Sequence, residues 1–280
     1  MLYSQPMTTD RDRNDELDRV QVMGILNVTP DSFYAGGRAI DSETVIQTGI
    51  SMMEGGADML DIGGESSRPG ANPVSVDEEL RRVLPVVEGL QSRTSLPLSI
   101  DTTKAAVARA AIHAGATIVN DISALRADSS MAEVIAAGGA KVILMHMQGT
   151  PRTMQKEPRY NNVMDEVCDF LRRRAEVALA AGISPTAIIL DPGIGFGKRL
   201  EHNLALLRQL PKLASYGYPV LVGLSRKSFL GQLLDLPAAQ RLEGTIVANT
   251  IAICGGASII RVHDVKEGRR TADVAVRFKP

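Results

Sequence analysis

Eight short apolar runs along the chain each end at a polar residue able to bind or move charge: Asn27, Asp61, Asp101, Asn120, His146, Asp191, Lys227 and His263. One Asp after a strand is most often the cap of the next helix, because its carboxylate accepts from free backbone N–H groups there. Asp61 and Asp121 fit that bland reading. Eight such residues in succession, mixing acids, amides and bases, do not, since capping draws on Ser, Thr, Asp and Asn. Asp101, Asn120 and Asp191 offer acceptors, and the Asn120 amide adds donors. A buried carboxylate facing two parallel N–H groups makes a strong bidentate pair. The flat 2-aminopyrimidinone edge of a guanine or a pterin presents such a pair, and Lys227 can donate to the opposite edge. Arg68, Arg261 and His263 form a cationic group suited to phosphate or diphosphate. Asn27 is a neutral oxygen ligand that could hold a Mg²⁺ completed by diphosphate oxygens and water.

The elements that must position these residues follow from pattern. Val22 to Leu26, Met59 to Gly64, Leu96 to Ile100, Ala116 to Val119, Lys141 to Met145, Ala187 to Leu190, Val220 to Gly223 and Ser258 to Ile260 read as strands buried on both faces. Helical segments lie between them. Asp41 or Ser42, Ser75 and Ser130 stand as their caps, the last two in capping boxes with Glu78 and Glu133. Further helices are expected over Lys104–Ala114, Val163–Ala181, Leu200–Ala214, from Ser228 to Cys254, and from Val265 as a short polar one. Strands alternating with helices imply right-handed crossovers and a parallel sheet. Eight units within residues 20–280 fit a single-domain α/β fold, a TIM (β/α)₈ barrel, in which all strand ends meet on one face. An open doubly wound sheet is the alternative. Thr29-Pro30-Asp31-Ser32 forces a turn after Asn27, and Gly36-Gly37 follows. A mobile lid and a plain polar turn explain that stretch equally well.

Composition narrows the classes. Net charge is −1, so no global basic field argues for nucleic acid. No apolar run reaches the roughly 18 residues needed to span a membrane. Two cysteines without disulfide or zinc spacing favour a reducing compartment, expected to be the cytoplasm. Residues 1–19 are polar with no apolar signal core, and read as a disordered or loosely attached tail. Other motifs are weaker. Gly193-Ile194-Gly195-Phe196-Gly197-Lys198 lacks the Walker spacing and reads as a flexible loop beside the pocket. His146 reads as a structural residue, Arg172-Arg173-Arg174 as a solvated face, and Met145 and Met147 as core or pocket filler.

With these residues in place, the chain closely resembles the dihydropteroate synthases. The matching segments are MGILNVTPDSF (23–33), DIGGESSRPG (61–70), SIDTTK (99–104), VNDI (119–122), LMHMQGTP (144–151), LDPGIGFGK (190–198), GLSRKSFLG (223–231) and IIRVHDV (259–265). The resemblance implies a TIM barrel, dimeric and Mg²⁺-dependent. It implies a reaction joining 6-hydroxymethyl-7,8-dihydropterin diphosphate to p-aminobenzoate, with sulfonamides competing at the p-aminobenzoate site. By position, Asp101, Asn120, Asp191 and Lys227 are expected to hold the pterin, with Met145 and Phe196 lining its pocket. Ser67, Arg68, Arg261 and His263 are expected to bind the diphosphate, and Asn27 the Mg²⁺. Phe33, Pro69 and Ser228 are expected to border p-aminobenzoate. Asp31, Arg68, Lys227, Arg261 and His263 carry the expected catalytic roles. Two departures stand out. Ser67 replaces the usual Thr and keeps its hydroxyl. Ala35 stands where the first loop often has a second acid, whose work falls to Asp31 or is dispensable here. A pterin-dependent methyltransferase and a non-catalytic pterin-binding paralogue are the rival readings. The cationic group disfavours the first, and the missing acid lends the second some support.

Overall fold

Successive side chains of a strand point to opposite faces, so a barrel strand feeds two environments at once. Eight parallel strands follow that alternation in the computed structural model, which describes residues 19–29 and 41–279. They are β1 (Gln21–Asn27), β2 (Met59–Gly63), β3 (Leu98–Asp101), β4 (Ile118–Asp121), β5 (Lys141–Met145), β6 (Ile188–Asp191), β7 (Leu221–Gly223) and β8 (Ile259–Val262). Their order in the sheet is β6-β5-β4-β3-β2-β1-β8-β7. A parallel bridge between Leu190 and Val220 joins the two outer strands. The expected barrel is therefore present, and the open sheet is excluded.

Outward residues such as Val22, Leu26, Leu60, Ile62, Ile100, Val119 and Leu144 pack against the helices in one large core. Inward residues Met23, Met59, Ile118, Ile143, Ile189, Leu221 and Ile259 form a separate apolar plug. Two positions further along their strands stand Ile25, Asp61, Asn120, Met145, Asp191, Gly223 and Arg261. The barrel interior thus changes from apolar to charged within one repeat, towards the C-terminal strand ends. Charge buried there needs partners, because desolvation of an unpaired ion costs several kcal/mol.

Helices α1 (Ser42–Glu54), α2 (Val76–Gln91), α3 (Ala105–His113), α4 (Met131–Gly138) and α5 (Val163–Ala180) wrap the first strands. Asp41 and Ser75 cap α1 and α2 as expected. Ser130 does not cap α4: its backbone is already helical and its side chain makes no cap bond. Asp128 accepts from the Ser130 N–H instead, at 3.0 Å, and from the Ala105 N–H at 2.9 Å. Two expected helices are broken. One splits into α6 (Leu200–Arg208) and α7 (Leu210–Ala214), with Pro211 at the start of the second. The other splits into α8 (Ser228–Leu234) and α9 (Leu242–Cys254), because Asp235 adopts a left-handed conformation and Pro237 follows. The last, α10 (Val265–Ala275), buries Val265, Gly268, Thr271, Ala272 and Ala275, so it is amphipathic and not merely polar. Arg172 and Arg173 are exposed as expected, but Arg174 is half-buried: its guanidinium donates to the carbonyls of Ala124 and Leu125 at 2.6 and 3.1 Å. Residues 1–18 of the expected tail, the lid segment with Asp31 and Phe33, and Ala35 lie outside the described residues.

Candidate active site

The charged layer is knitted by one guanidinium. Arg261 on β8 donates from Nε to Asp61 Oδ2 at 2.6 Å and from Nη2 to Asp101 Oδ2 at 2.9 Å. Asn120 Nδ2 donates to the same Asp61 oxygen at 2.9 Å. Asp61 is fully buried in the middle of β2, so the helix-cap reading fails for it. It fails for Asp121 too: this last residue of β4 accepts from the Ser123 and Leu125 N–H groups at 2.8 and 2.7 Å and so closes a turn, while the next helix begins only at Met131. Burial, followed by the charge of Asp61, pushes the Asp101 carboxyl up to about 7, against the pull of Arg261. Arg261, expected in a cationic group with Arg68 and His263, is therefore interleaved with the acids: it lies between two carboxylates.

A second group sits across the mouth. Asp191 Oδ1 accepts the Gly193 N–H at 2.7 Å. Burial raises its carboxyl above the usual range, and Lys227 opposes that rise. Lys227 precedes α8, donates to the Ile194 carbonyl, and stands 4.5 Å over the Phe196 ring. Burial lowers its ammonium to about 8, with Asp191 resisting and Arg261 assisting. Beside them Ile122, Met145, Met147 and Met154 form an apolar wall on which Phe196 packs. Asp101, Asn120, Asp191, Lys227, Met145 and Phe196 thus gather at one end of the barrel, as their spacing after successive strands required.

The glycine-rich stretch after β6 is tied down. Gly193 has φ +65°, and a Cβ there would lie 1.9 Å from the His146 carbonyl oxygen, so no other residue fits. Lys198 turns its buried amine inward to the carbonyls of Gly193 and Phe196 at 2.9 and 3.0 Å and to His146 Nδ1 at 3.0 Å. Tyr160 and Gln155 donate to the carbonyls of Gly197 and Gly195 at 2.7 Å each. The lysine serves the loop and not an anion. His146 is buried against Phe170, and burial with the Lys198 charge lowers its imidazole to about 2. Its structural reading holds.

The rim carries the remaining residues. Ser67, Arg68 and Pro69 lie in the β2–α2 loop, with Arg68 and Pro69 exposed. Ser67 and Asp101 border a cavity of about 320 Å³ with Glu65, Thr102, Arg126 and Met147. That volume lies at the lower end for small-molecule sites. It touches the charged layer through Asp101 but does not include Asp191, Lys227 or Arg261. Ser228 opens α8 and is exposed. His263 reaches solvent at the end of β8, and Arg68 and Arg261 are close enough to influence its charge. Among the described residues no group of three His, Cys, Asp or Glu is placed to hold a metal ion. Asn27 Oδ1 and Asp101 Oδ2 lie 3.8 and 3.7 Å from the point a Cβ of Gly63 would occupy. The missing side chain leaves a small oxygen-lined space between β1 and β3.

One of these residues escapes a reading of strand ends, and another is misplaced by it. Asp61 is expected at a strand end, yet it lies in the middle of β2, flanked by Leu60 and Ile62. Lys198 announces itself only as the lysine of a glycine-rich stretch without phosphate-loop spacing.

Residues 23–263 match the family model described as pterin binding enzyme. The chain is 46% identical over 274 residues to the dihydropteroate synthase of Synechocystis, covering 98% of this chain and 95% of that protein. The chain belongs to the dihydropteroate synthase family. Among solved structures, the Yersinia pestis dihydropteroate synthase with a sulfonamide drug complex superposes with a TM-score of 0.88. It has 47% identity and covers 98% of this chain and 97% of that one. The Xanthomonas albilineans dihydropteroate synthase in complex with 7,8-dihydropteroate gives a TM-score of 0.84. It has 43% identity and covers 94% and 96% of the two chains. The family match spans every strand from β1 to β8, so it covers the whole charged layer.

Proposed function

We propose that this chain condenses 6-hydroxymethyl-7,8-dihydropterin diphosphate with p-aminobenzoate, releasing diphosphate and forming 7,8-dihydropteroate. The observation that supports this best is the interleaved layer of Asp61, Asp101, Asn120, Asp191, Lys227 and Arg261 beside the Met145–Phe196 wall. A flat heterocycle with paired donors on one edge and acceptors on the other suits that layer. Asp101, Asn120 and Asp191 would face its donors and Lys227 its acceptors, with Met145 and Phe196 against its faces. Ser67, Arg68, Arg261 and His263 would take the diphosphate, and Phe33, Pro69 and Ser228 would border the arylamine.

Departure of the diphosphate leaves positive charge on the pterin methylene. Cationic side chains at the rim offset the charge of the departing anion, a contribution of several kcal/mol. Asp101 and Asp191 offset the charge left on the ring. The neutral arylamine then attacks the methylene carbon and loses a proton, so no strong general base is needed beforehand. Excluding water matters, because water would trap the same carbon. The Arg68 loop and the segment with Asp31 and Phe33 are the candidates for that closure. Mg²⁺, when bound, neutralises diphosphate charge. Asn27 would hold it through its side-chain oxygen, beside the oxygen-lined space over Gly63.

We also propose a homodimer and a cytoplasmic location. Val247 and Ile251 on α9, Val274 on the neighbouring α10 and Phe278 in the turn that follows it (Val276–Phe278) support the first. Two unpaired cysteines, Cys168 and Cys254, support the second. The deciding assay is diphosphate release from pterin diphosphate and Mg²⁺, with and without p-aminobenzoate. Pterin binding without release would favour the non-catalytic paralogue, and methyl transfer to a corrinoid would favour the other rival. Arg68→Ala should lower turnover about 10²-fold, with pterin affinity nearly unchanged. Equal losses in both would remove Arg68 from the leaving-group role.

A further inference from the structure

Ser225 follows β7, is 5% exposed, and has no part in the site as described so far. Its Oγ accepts the backbone N–H of His263 at 3.2 Å and lies 2.9 Å from His263 Nδ1. A serine hydroxyl has one proton and two acceptor positions. The His263 N–H occupies one acceptor position. Among the described residues, His263 Nδ1 is the one acceptor within reach of the hydroxyl proton. A hydroxyl proton given to Nδ1 leaves that nitrogen bare and the ring proton on Nε2, which carries no protein hydrogen bond among the described residues; the opposite tautomer would leave the buried Ser225 hydroxyl proton without a protein acceptor there.

We infer that Ser225 is a positioning residue that locks His263 as its Nε2–H tautomer, presenting a neutral N–H donor to the diphosphate end of the substrate. This rests on the function proposed above. The surroundings agree with a neutral ring. Arg261 on β8, Arg226 in the β7–α8 loop and Arg68 in the β2–α2 loop face it with positive charge. The acid near it, Asp264, is held by Arg226 through two bonds of 2.9 and 2.7 Å. Desolvation, then Arg261, lowers the imidazole to about 4. A neutral donor adds a directional bond to an anion without adding a fourth cation to the empty site. It also needs the correct nitrogen to carry the proton, and the β7–β8 contact through Ser225 supplies that selection.

The test is ¹⁵N NMR of the ligand-free full chain, in which four histidines make assignment by single substitution practical. Between pH 6 and 8 the wild type should show one His263 tautomer, protonated at Nε2 and bare at Nδ1. Ser225→Ala should show a mixture of tautomers and a ring that protonates at higher pH, since the bond favouring the neutral form is gone. Ser225→Thr should restore the wild-type spectrum. In turnover, Ser225→Ala should lower kcat several-fold with the KM for p-aminobenzoate unchanged. A proton on Nδ1 in the wild type overturns the inference, and this reading stands even if the variant fails to fold. An Ala variant spectrally identical to wild type overturns the role of Ser225. The ligand-free spectrum decides the tautomer whether or not the chain releases diphosphate, so its failure and a failure of the proposed reaction are distinguishable.

Discussion

Asp61 and Arg261 stand 200 positions apart and share a 2.6 Å ion pair inside the barrel. Arg261 is the centre of the charged layer, and Asp61 is the anchor that orients it. Removing one partner of a buried pair strands the other, at a cost of about 3–5 kcal/mol. Asp61→Asn should therefore lower stability by roughly 3 kcal/mol in urea unfolding. It should also let Asp101 ionise at lower pH, because the Asp61 charge helps push that carboxyl up to about 7. Carboxyl NMR of Asp101 checks the second outcome; an unmoved titration would detach Asp61 from the site. Lys227 gives a pH signature of opposite kind. Its ammonium is lowered to about 8 by burial, so the free protein loses that proton as pH rises through about 8. A ligand that needs the charged form raises this value when it binds. Pterin binding at pH 8 to 9 should thus take up a proton, seen by calorimetry in buffers of different ionisation enthalpy, and Lys227→Met should abolish the uptake.

At the scale of elements, the strands were legible because eight apolar runs recur, each separated from the next by helix-patterned sequence. Their ends were less so. Asn27, Asp101 and Asp191 are expected just beyond their strands, yet each is the last residue within one. A polar side chain belongs in a strand where the inward face opens onto a site. The helix breaks at Pro211 and Asp235 were missed because apolar periodicity continues across them, while backbone conformation does not. The partners of Arg261 were not legible at all, since closure of the barrel and not local sequence brings β2, β3 and β8 together. The loop after β6 shows an element acting on function from outside the ligand site. Lys198 ties the carbonyls of Gly193 and Phe196, and the same loop supplies the Ile194 carbonyl to Lys227. Lys198→Met would leave buried carbonyls without donors, at about 1–3 kcal/mol each. It should lower the melting temperature and weaken pterin affinity together, although the Lys198 amine is spent on the loop carbonyls and His146. Loss of stability with unchanged affinity would show that the loop does not position Phe196 and Lys227.

The whole molecule has a second apolar surface besides its core. A helix apolar on all sides is expected to be covered on all sides. Helix α9 is of this kind: Ala248, Ala252 and Ile253 face the barrel, while Val247 and Ile251 are 59% and 51% exposed. Helix α10 lies beside it, and Val274 and Phe278 are 61% and 70% exposed. Four large apolar side chains, spaced i and i+4 on α9 and along α10 into the turn after it, are exposed on adjoining elements, and a second copy of the same surface would cover them symmetrically. The charged layer opens at the C-terminal strand ends, whereas these side chains lie on the outer surface of helices following β7 and β8. Sedimentation of the wild type at micromolar concentration should therefore give a dimer. Ile251→Glu with Val274→Glu should give a monomer, because burying two pairs of like charges without partners costs more than the face can return. The monomer should keep its pterin affinity, since Asp101, Asn120, Asp191 and Lys227 all come from one chain. A wild-type monomer would sink the dimer, and a monomeric variant that no longer binds pterin would show that assembly helps to hold the charged layer in place.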